Sequence, residues 1–516
     1  MDAASVTVKT ADGSVRVDAP MRSINRGSHA RVHNLYDRLG INLRRLDFGY
    51  TFTRLADAPT CPGASSTSAT RSDAPPAYSP QADDVKPPPS SAPALAPAPT
   101  QTTQLIYEGS SGLRWPPLAL PSHLLPSLAR PSPVPLLRHL ALLALLALAY
   151  MQVLLLAFAY VSAGLTDVRP SKGLMARAAR WAGWRPIGDE GLRAWCVRHG
   201  VWGGMVDEVL VPLWAAVATV DKRTAEAMPV GEVLEYISST FGASHYVAGD
   251  GVRAIVHALA APLPFAQTHT DTTLTSLAHA VTPSGRPRTV IRSSTNGVAN
   301  NRLAFDHVVL ATQANQARTL LGTVPSQSEV ARARLDALGL FGYKRSLVVT
   351  HSDGGLLPRD ARDVRDLVFA SHARADASPP PVDYPLATAA PSSADHQPPG
   401  WIQATHVLSA SPLLLQTTNP VSPPDPALVH CSAWFDRAVV SQASRTALPG
   451  FLLPDDGADV DAAERTGEGR WQGIDNIWLV GSWAAEGCPL LEGCVVSAER
   501  VVRAVARREG WTVIAE

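Results

Sequence analysis

The sequence predicts an α/β fold whose globular parts are interrupted by insertions, and three observations carry that prediction. The run Phe305-Asp306-His307-Val308-Val309-Leu310-Ala311-Thr312 reads as one continuous strand buried on both faces, as strands of parallel sheets are. Ile474 to Trp483 is a short apolar run that reaches Gly481; a glycine-bearing turn follows, and a helix begins at small residues within Gly487 to Ser497. That layout lets backbone N–H groups and a helix N-terminus come close to a ligand. Finally, Ala56 to Thr103 and Ala373 to Gly400 are rich in Pro, Ala, Ser and Thr, with no apolar periodicity to bury, and read as disordered insertions.

The elements follow in chain order. Val17 to Arg22 leads into a helix with Val32, Leu35, Tyr36 and Leu39 on one face, ended by Gly40 as the residue after the cap. Leu140 to Ala163 carries no charge and is long enough to cross a bilayer, within a helix expected over 136–165. Pro133 and Pro135 suit its entry and Gly164 its exit. Gly249-Asp250-Gly251-Val252-Arg253-Ala254 fits Gly-x-Gly-x-x-Ala, with Asp271 about twenty residues on. The apolar run before it is short and Asp271 lies in a polar stretch, so close packing is preferred to pyrophosphate binding. In the last helix Val495, Ala498, Val502 and Val505 define one face and Arg500, Arg503 and Arg507 the other, with basic residues toward the C-terminal end as the helix dipole favours.

Bulk properties exclude several classes. The formal charge of the 516 residues is zero, so no nucleic-acid partner is expected. The five cysteines, Cys61, Cys196, Cys431, Cys488 and Cys494, form no Cys-x-x-Cys pair, which speaks against a zinc site or a disulfide scaffold. No metal site is expected: His351 and Asp353 form a compact polar pair without further ligands. Met1-Asp2-Ala3-Ala4 shows neither the basic nor the apolar region of a signal peptide.

The C-terminal strand, turn and helix resemble the flavin-binding motif of the flavin-containing amine oxidoreductases, where a strand ends in Gly-Asp and a later Glu-Gly-Ala opens the last helix. Ser482 stands for that Asp and Cys494 for that Ala. The strand at Phe305, Gly342 to Asp353 and Leu356-Leu357-Pro358 follow in an order similar to a predicted FAD/NAD(P)-binding, amine-oxidase-like subgroup. The likeness runs with gaps over Val17 to Arg508. It implies FAD as cofactor, held at this end by Gly481, Ser482, Gly487, Leu491, Glu492, Gly493 and Cys494, with the last helix directed at the flavin ring. It further implies an FAD-binding domain of glutathione-reductase type, incomplete at the N-terminus, with an interleaved α+β substrate domain. The family's opening strand, Gly-x-Gly-x-x-Gly turn and helix, which cradle the pyrophosphate, have no counterpart at the start of this sequence. Either the gene model is truncated or the protein has lost its cofactor.

The implied organisation is 1–55, a remnant of the N-terminal FAD-domain half; 56–104, an insertion; 105–245, substrate domain; 246–372, strands of both domains; 373–400, a disordered loop; and 401–516, with the flavin motif at 474–508. No catalytic residue is fixed. Lys344, before the strand Ser346 to Thr350, is the candidate for the lysine that many amine oxidases place near flavin N5, set against a solvated strand-end lysine. Trp434 and Phe435 are candidates for an aromatic wall, set against core packing. The expected function is FAD-dependent hydride transfer from an amine or lipid-like substrate; the alternative is a non-catalytic, membrane-associated remnant without FAD. For Leu140 to Ala163 three readings stand: a buried helix, a helix lying on or dipping into a membrane, and a true span. Attachment without crossing is expected, because flavin-domain sequence lies on both sides of it, and Arg169, Lys172, Arg177 and Arg180 favour a cytosolic face.

Overall fold

The computed structural model describes residues 4–10, 13–20, 23–55, 101–109, 117–128, 134–167, 173–283, 285–300, 302–325, 328–372, 402–454 and 467–512. The insertion 56–100 and the loop 373–401 lie outside them. Residues 101–104, read with the insertion, open strand β6 (Gln101–Tyr107).

One eight-stranded sheet dominates. Its strands run β18 (Val429–Val439), β14 (Gly342–His351), β17 (Leu413–Thr418), β16 (Ile402–Ala410), β15 (Leu367–His372), β5 (Tyr50–Leu55), β6 and β7 (Leu118–Ala119). All neighbours are antiparallel except β15 and β5, paired in parallel from Leu367 opposite Tyr50. Ser346 to His351 of β14 are all buried, as a central strand covered on both faces requires.

The helices on one face are α2 (Val134–Ser162), α3 (Leu174–Trp181), α4 (Leu192–Arg198), α5 (Gly203–Met205), α6 (Val211–Ala218), α7 (Lys222–Ala227) and α8 (Val230–Thr240). Their apolar faces meet Phe52, Leu105, Phe369 and Ile402 of the sheet in the largest core, around Trp195, Met228 and Leu234. Leu146, Ala149, Val153, Ala157 and Tyr160 anchor α2 in it. The opposite side of the same helix is exposed. The N-terminal strand β5 and the later β15 are hydrogen-bonded neighbours, so a single bilayer crossing by α2 is incompatible with this fold.

The second core surrounds a two-stranded parallel sheet, β13 (Val308–Leu310) with β19 (Ile477–Leu479). Helices α10 (Ala314–Gly322) and α11 (Glu329–Leu338) pack on it with Phe341, Phe451, Trp471 and Trp483. The strand expected over Phe305 to Thr312 is divided. Leu303–Phe305 is β12 and pairs with β10 (Pro287–Thr295), next to β9 (Thr272–Val281), while β11 (Val298–Ala299) joins β10 further along. The break falls at the polar pair: Asp306 turns out to Arg288 (2.8 Å), and His307 accepts from the Trp478 indole (3.1 Å) and meets Glu509 (3.0 Å). Burial on both faces does not hold either, since Val309 is 48% exposed.

The N-terminal hairpin of β1 (Ala4–Thr10) and β2 (Gly13–Ala19) sets Val8 and Val17 against Leu414. β3 (Ile24–Asn25) and β4 (Leu43–Leu46) flank β8 (His245–Ala248) in an antiparallel sheet. Helix α1 (Ala30–Arg38) buries Val32 and Tyr36 as expected, together with His33, whose ring meets Tyr246 edge-on. Helices α9 (Gly251–Ala260), α12 (Gln442–Ala447) and α13 (Leu491–Glu509) complete the fold. The face expected for α13 is rotated: Gly493, Ser497, Val501 and Ala506 are buried, and Val502 is exposed. The small residues win the inner face because a backbone turn presses against them.

Candidate functional site

The C-terminal strand, turn and helix form one unit. Gly481, following β19, donates its N–H to Ser497 Oγ (3.0 Å), and that oxygen lies 3.1 Å from Gly481 O. The Trp483 indole donates to Thr312 O (2.9 Å), tying the turn to the end of β13. A side chain at Gly493 would put its Cβ 2.7 Å from Ser482 O and 3.2 Å from Ser482 Cα. Gly493 is therefore needed for the approach of α13 to the Gly481–Ser482 backbone. The carboxylate of Glu492 spans the fold and accepts the N–H groups of Arg31 (2.9 Å) and Val32 (3.0 Å), capping α1 in place of a local side chain. Arg31 pairs in turn with Glu499. Cys494 is exposed, and Gly487 has Glu232 Oε2 as the nearest atom to an added Cβ, at 3.9 Å.

Of the seven residues singled out in this motif, Leu491 lines a cavity. That cavity has a volume of about 510 Å³, within the range of ligand sites. It lies between the first turns of two helices, α13 at Leu491 and α9 at Gly251 and Val252, with Arg44, Asp18, Tyr246 and His406 in its walls. The start of α13 has no side-chain cap. The start of α9 is taken: Asp18 Oδ2 accepts the Val252 N–H (2.9 Å), and a Cβ on Gly251, at φ +75°, would touch the same carboxylate at 3.2 Å. Burial pushes His406 down to about 4, so its imidazole is neutral near pH 7.

The Gly249-x-Gly251 segment follows β8, which pairs antiparallel on both sides, so it is no dinucleotide-binding turn; its glycines serve close packing, against Asn42 and Asp18. Lys344 is exposed on β14, opposite Arg437, and lies outside the cavity walls. Phe435 is buried, and Trp434 lies under the Arg345 guanidinium, 5.4 Å from ring centroid to charge. His351 and Asp353 are structural. His351 Nε2 bonds Thr417 Oγ1 (2.8 Å), while the two Asp353 oxygens accept from the Gly355 and Asp425 backbones.

Sequence reasoning passed over Asp18, Ser497 and the buried Glu232. Glu232 Oε1 pairs with Arg445 (2.6 Å), which is shared with Asp167 (2.9 Å), and Oε2 has no partner among the described residues. Burial pushes this carboxyl up to about 7 against the pull of Arg445. Only Ser497 had a visible signal, as the small residue one turn after Gly493.

Residues 205–506, more than half of the chain, match the family model described as flavin containing amine oxidoreductase. The chain belongs to that family. No curated protein matches it. Among solved structures it is similar to wild-type putrescine oxidase bound to putrescine, at 9% identity over 98% of this chain and 91% of that one, with a TM-score of 0.45. A double mutant redesigned for cofactor binding in the same enzyme gives 8% identity over 98% of this chain and 91% of that one, at 0.43. An oxidoreductase from Methanosarcina mazei gives 13% over 64% of this chain and 71% of that one, at 0.38. Likeness at these values bears on neither substrate nor residues.

The family's cofactor is FAD. The residues present fit its ring end: an uncapped helix start at Leu491, Arg44, and apolar walls from Phe48 and Leu414 around one cavity. The Gly-x-Gly segment does not fit its pyrophosphate end: Gly249 to Gly251 follows an antiparallel strand, and the helix start after it is already taken by Asp18.

Proposed function

We propose that this chain forms the flavin-ring side and the substrate domain of an FAD-dependent oxidoreductase that oxidises an amine or lipid-like substrate at the cytosolic face of a membrane. The observation that carries the proposal is the cavity of about 510 Å³ at the start of α13, in a chain of the amine oxidoreductase family. FAD, when bound, supplies the two-electron acceptor. The chain's own residues set the surroundings. The first turn of α13 favours negative charge beside Leu491. Neutral His406 adds no competing cation, and Leu408, Leu414 and Phe48 exclude water from one wall.

The test is a titration of the purified chain with FAD, followed by flavin fluorescence and then by bleaching of the bound flavin with amines under argon. Binding should be weak, saturable, and lost in Ser409→Trp, which fills the cavity, and in Arg44→Glu. Weak binding indifferent to both substitutions would contradict the assignment of the cavity. The two-stranded parallel sheet favours a second reading, a membrane-associated remnant without FAD; it predicts no saturable binding at any flavin concentration.

A further inference from the structure

The outer side of α2 exposes Leu137, Leu140, Leu145, Leu148, Met151 and Leu155, a stripe about 30 Å long at 1.5 Å per residue. Leu148 and Leu155 are 69% and 63% exposed. Between Leu140 and Phe158, Tyr150 is the one polar residue on this side. Protein interfaces carry roughly one hydrogen bond per 100–200 Å², and this stripe offers almost none. Hydrocarbon asks for none, so the chemistry of the stripe suits lipid better than a protein partner.

The apolar surface continues around the second half of α2. Phe158 meets Phe241 edge-on at 5.9 Å, and Gln152 bonds His199 O at the end of α4 (2.8 Å). Tyr160 meets Trp184, just beyond α3, at 4.7 Å. Helix α3 is itself amphipathic. Ala176 and Ala179 face the fold, while Leu174, Ala178 and Trp181 stand outward, Trp181 at 92% exposure. Arg177 and Arg180 are exposed beside them. The sequence on either side of α2 is basic: from Gly109 to Gly188 it has Arg114, Arg130, Arg138, Arg169, Lys172, Arg177, Arg180 and Arg185 against the single acid Asp167. Of these, Arg138, Arg177, Arg180 and Arg185 are exposed among the described residues, and Asp167 is paired with Arg445.

We propose that α2 and α3 together form a platform lying in the plane of an anionic bilayer, with α2 sunk by its leucine side and α3 reading the headgroup charge. This rests on the membrane reading above and adds to it the second helix, the lipid class and the orientation. Basic residues beside an apolar helix face gain from anionic headgroups, and exposed tryptophan suits the interface.

The experiment is co-sedimentation of the full chain with vesicles of phosphatidylcholine alone and of phosphatidylcholine mixed with phosphatidylserine. The wild-type chain should bind the mixed vesicles more tightly, and salt should weaken that preference. Arg177→Glu with Arg180→Glu should lower binding to mixed vesicles by about tenfold or more and leave neutral vesicles unaffected. Leu148→Asp with Leu155→Asp, both exposed and compatible with the fold, should abolish binding to either. Equal binding to both vesicles, unchanged by the arginine reversals, would overturn the platform while sparing the membrane reading. No binding to any vesicle would overturn both. A dimer in gel filtration that Leu148→Asp with Leu155→Asp converts to monomer, without vesicle binding, would assign the stripe to a second copy of the chain and overturn the proposal.

Discussion

The eight-stranded sheet and the β13–β19 pair are made of similar residues and differ in what covers them. Along β14, Ser346 to His351 are buried without a break, and the sheet shares a core with seven helices. In β13 the middle residue, Val309, is 48% exposed, and the parallel pair has no third strand among the described residues. Two strands alone are marginal; this pair persists because α10, α11 and four large aromatic residues pack on one side. The large sheet is thus covered along its central strand, whereas the parallel pair is covered on one side of β13 only. In the proposed function the cavity takes the ring end of the flavin, and no pyrophosphate cradle is assigned among the described residues.

The contrast can be broken by substitution. Phe369 is stacked on Phe52 at 4.9 Å in the main core, so Phe369→Ala should cost about 3–5 kcal/mol in denaturant unfolding. Gly493→Leu should cost about 1–3 kcal/mol or more through overpacking against Ser482, and should weaken flavin binding together with stability. A Gly493→Leu variant of wild-type stability would refute the packing role given to that glycine.

Glu232 sharpens the contrast through pH. Its carboxyl is raised in the fold from 4.5 to about 7, so its contribution to stability is full below pH 4.5 and lost as pH rises toward 7. His29, His351 and His406, pushed down to about 4 by burial, act oppositely, their stabilisation being lost as pH falls from 6.5 toward 4. The difference between wild type and Glu232→Gln therefore isolates the carboxyl. Relative to the variant, wild type should lose on the order of 2–3 kcal/mol between pH 4.5 and 7.5, at about 1.4 kcal/mol per pKa unit. A difference that stays flat with pH would show the carboxyl to be ionised throughout, as an ordinary partner of Arg445.

The smallest effect is expected at the open sheet. Val309→Asp should change stability by about 0.5 kcal/mol or less, as exposed positions do, whereas Leu310→Asp, 3% exposed, should unfold the second core. Equal damage from both would mean that the outer face of β13 is covered in solution.

Much of this was legible in the sequence. The first helix and its Gly40 end, the long apolar helix and the strand–turn–helix at Gly481 follow from periodicity and turn residues. The break in the strand after Phe305 was not, because a polar Asp306–His307 pair inside an apolar run gives no hint that Arg288 will pair with Asp306 and Trp478 with His307. The inner face of α13 was misjudged because valines outweigh Gly493 and Ser497 in any count of apolar positions, while backbone contact decides in favour of the small residues. Asp18 at the cavity and Glu492 on α1 act across more than two hundred residues of chain, beyond the reach of any local pattern.

The proposed function places the ring end of the flavin site in this chain, with no pyrophosphate end among the described residues. The direct measurement compares the affinities of the purified chain for riboflavin and for FAD under one salt condition. The two values should lie within a few-fold of each other, both lowered by Ser409→Trp, because the adenosine and pyrophosphate gain no cradle. FAD binding a hundredfold tighter than riboflavin, about 2.7 kcal/mol, would contradict it and place a pyrophosphate site within this chain.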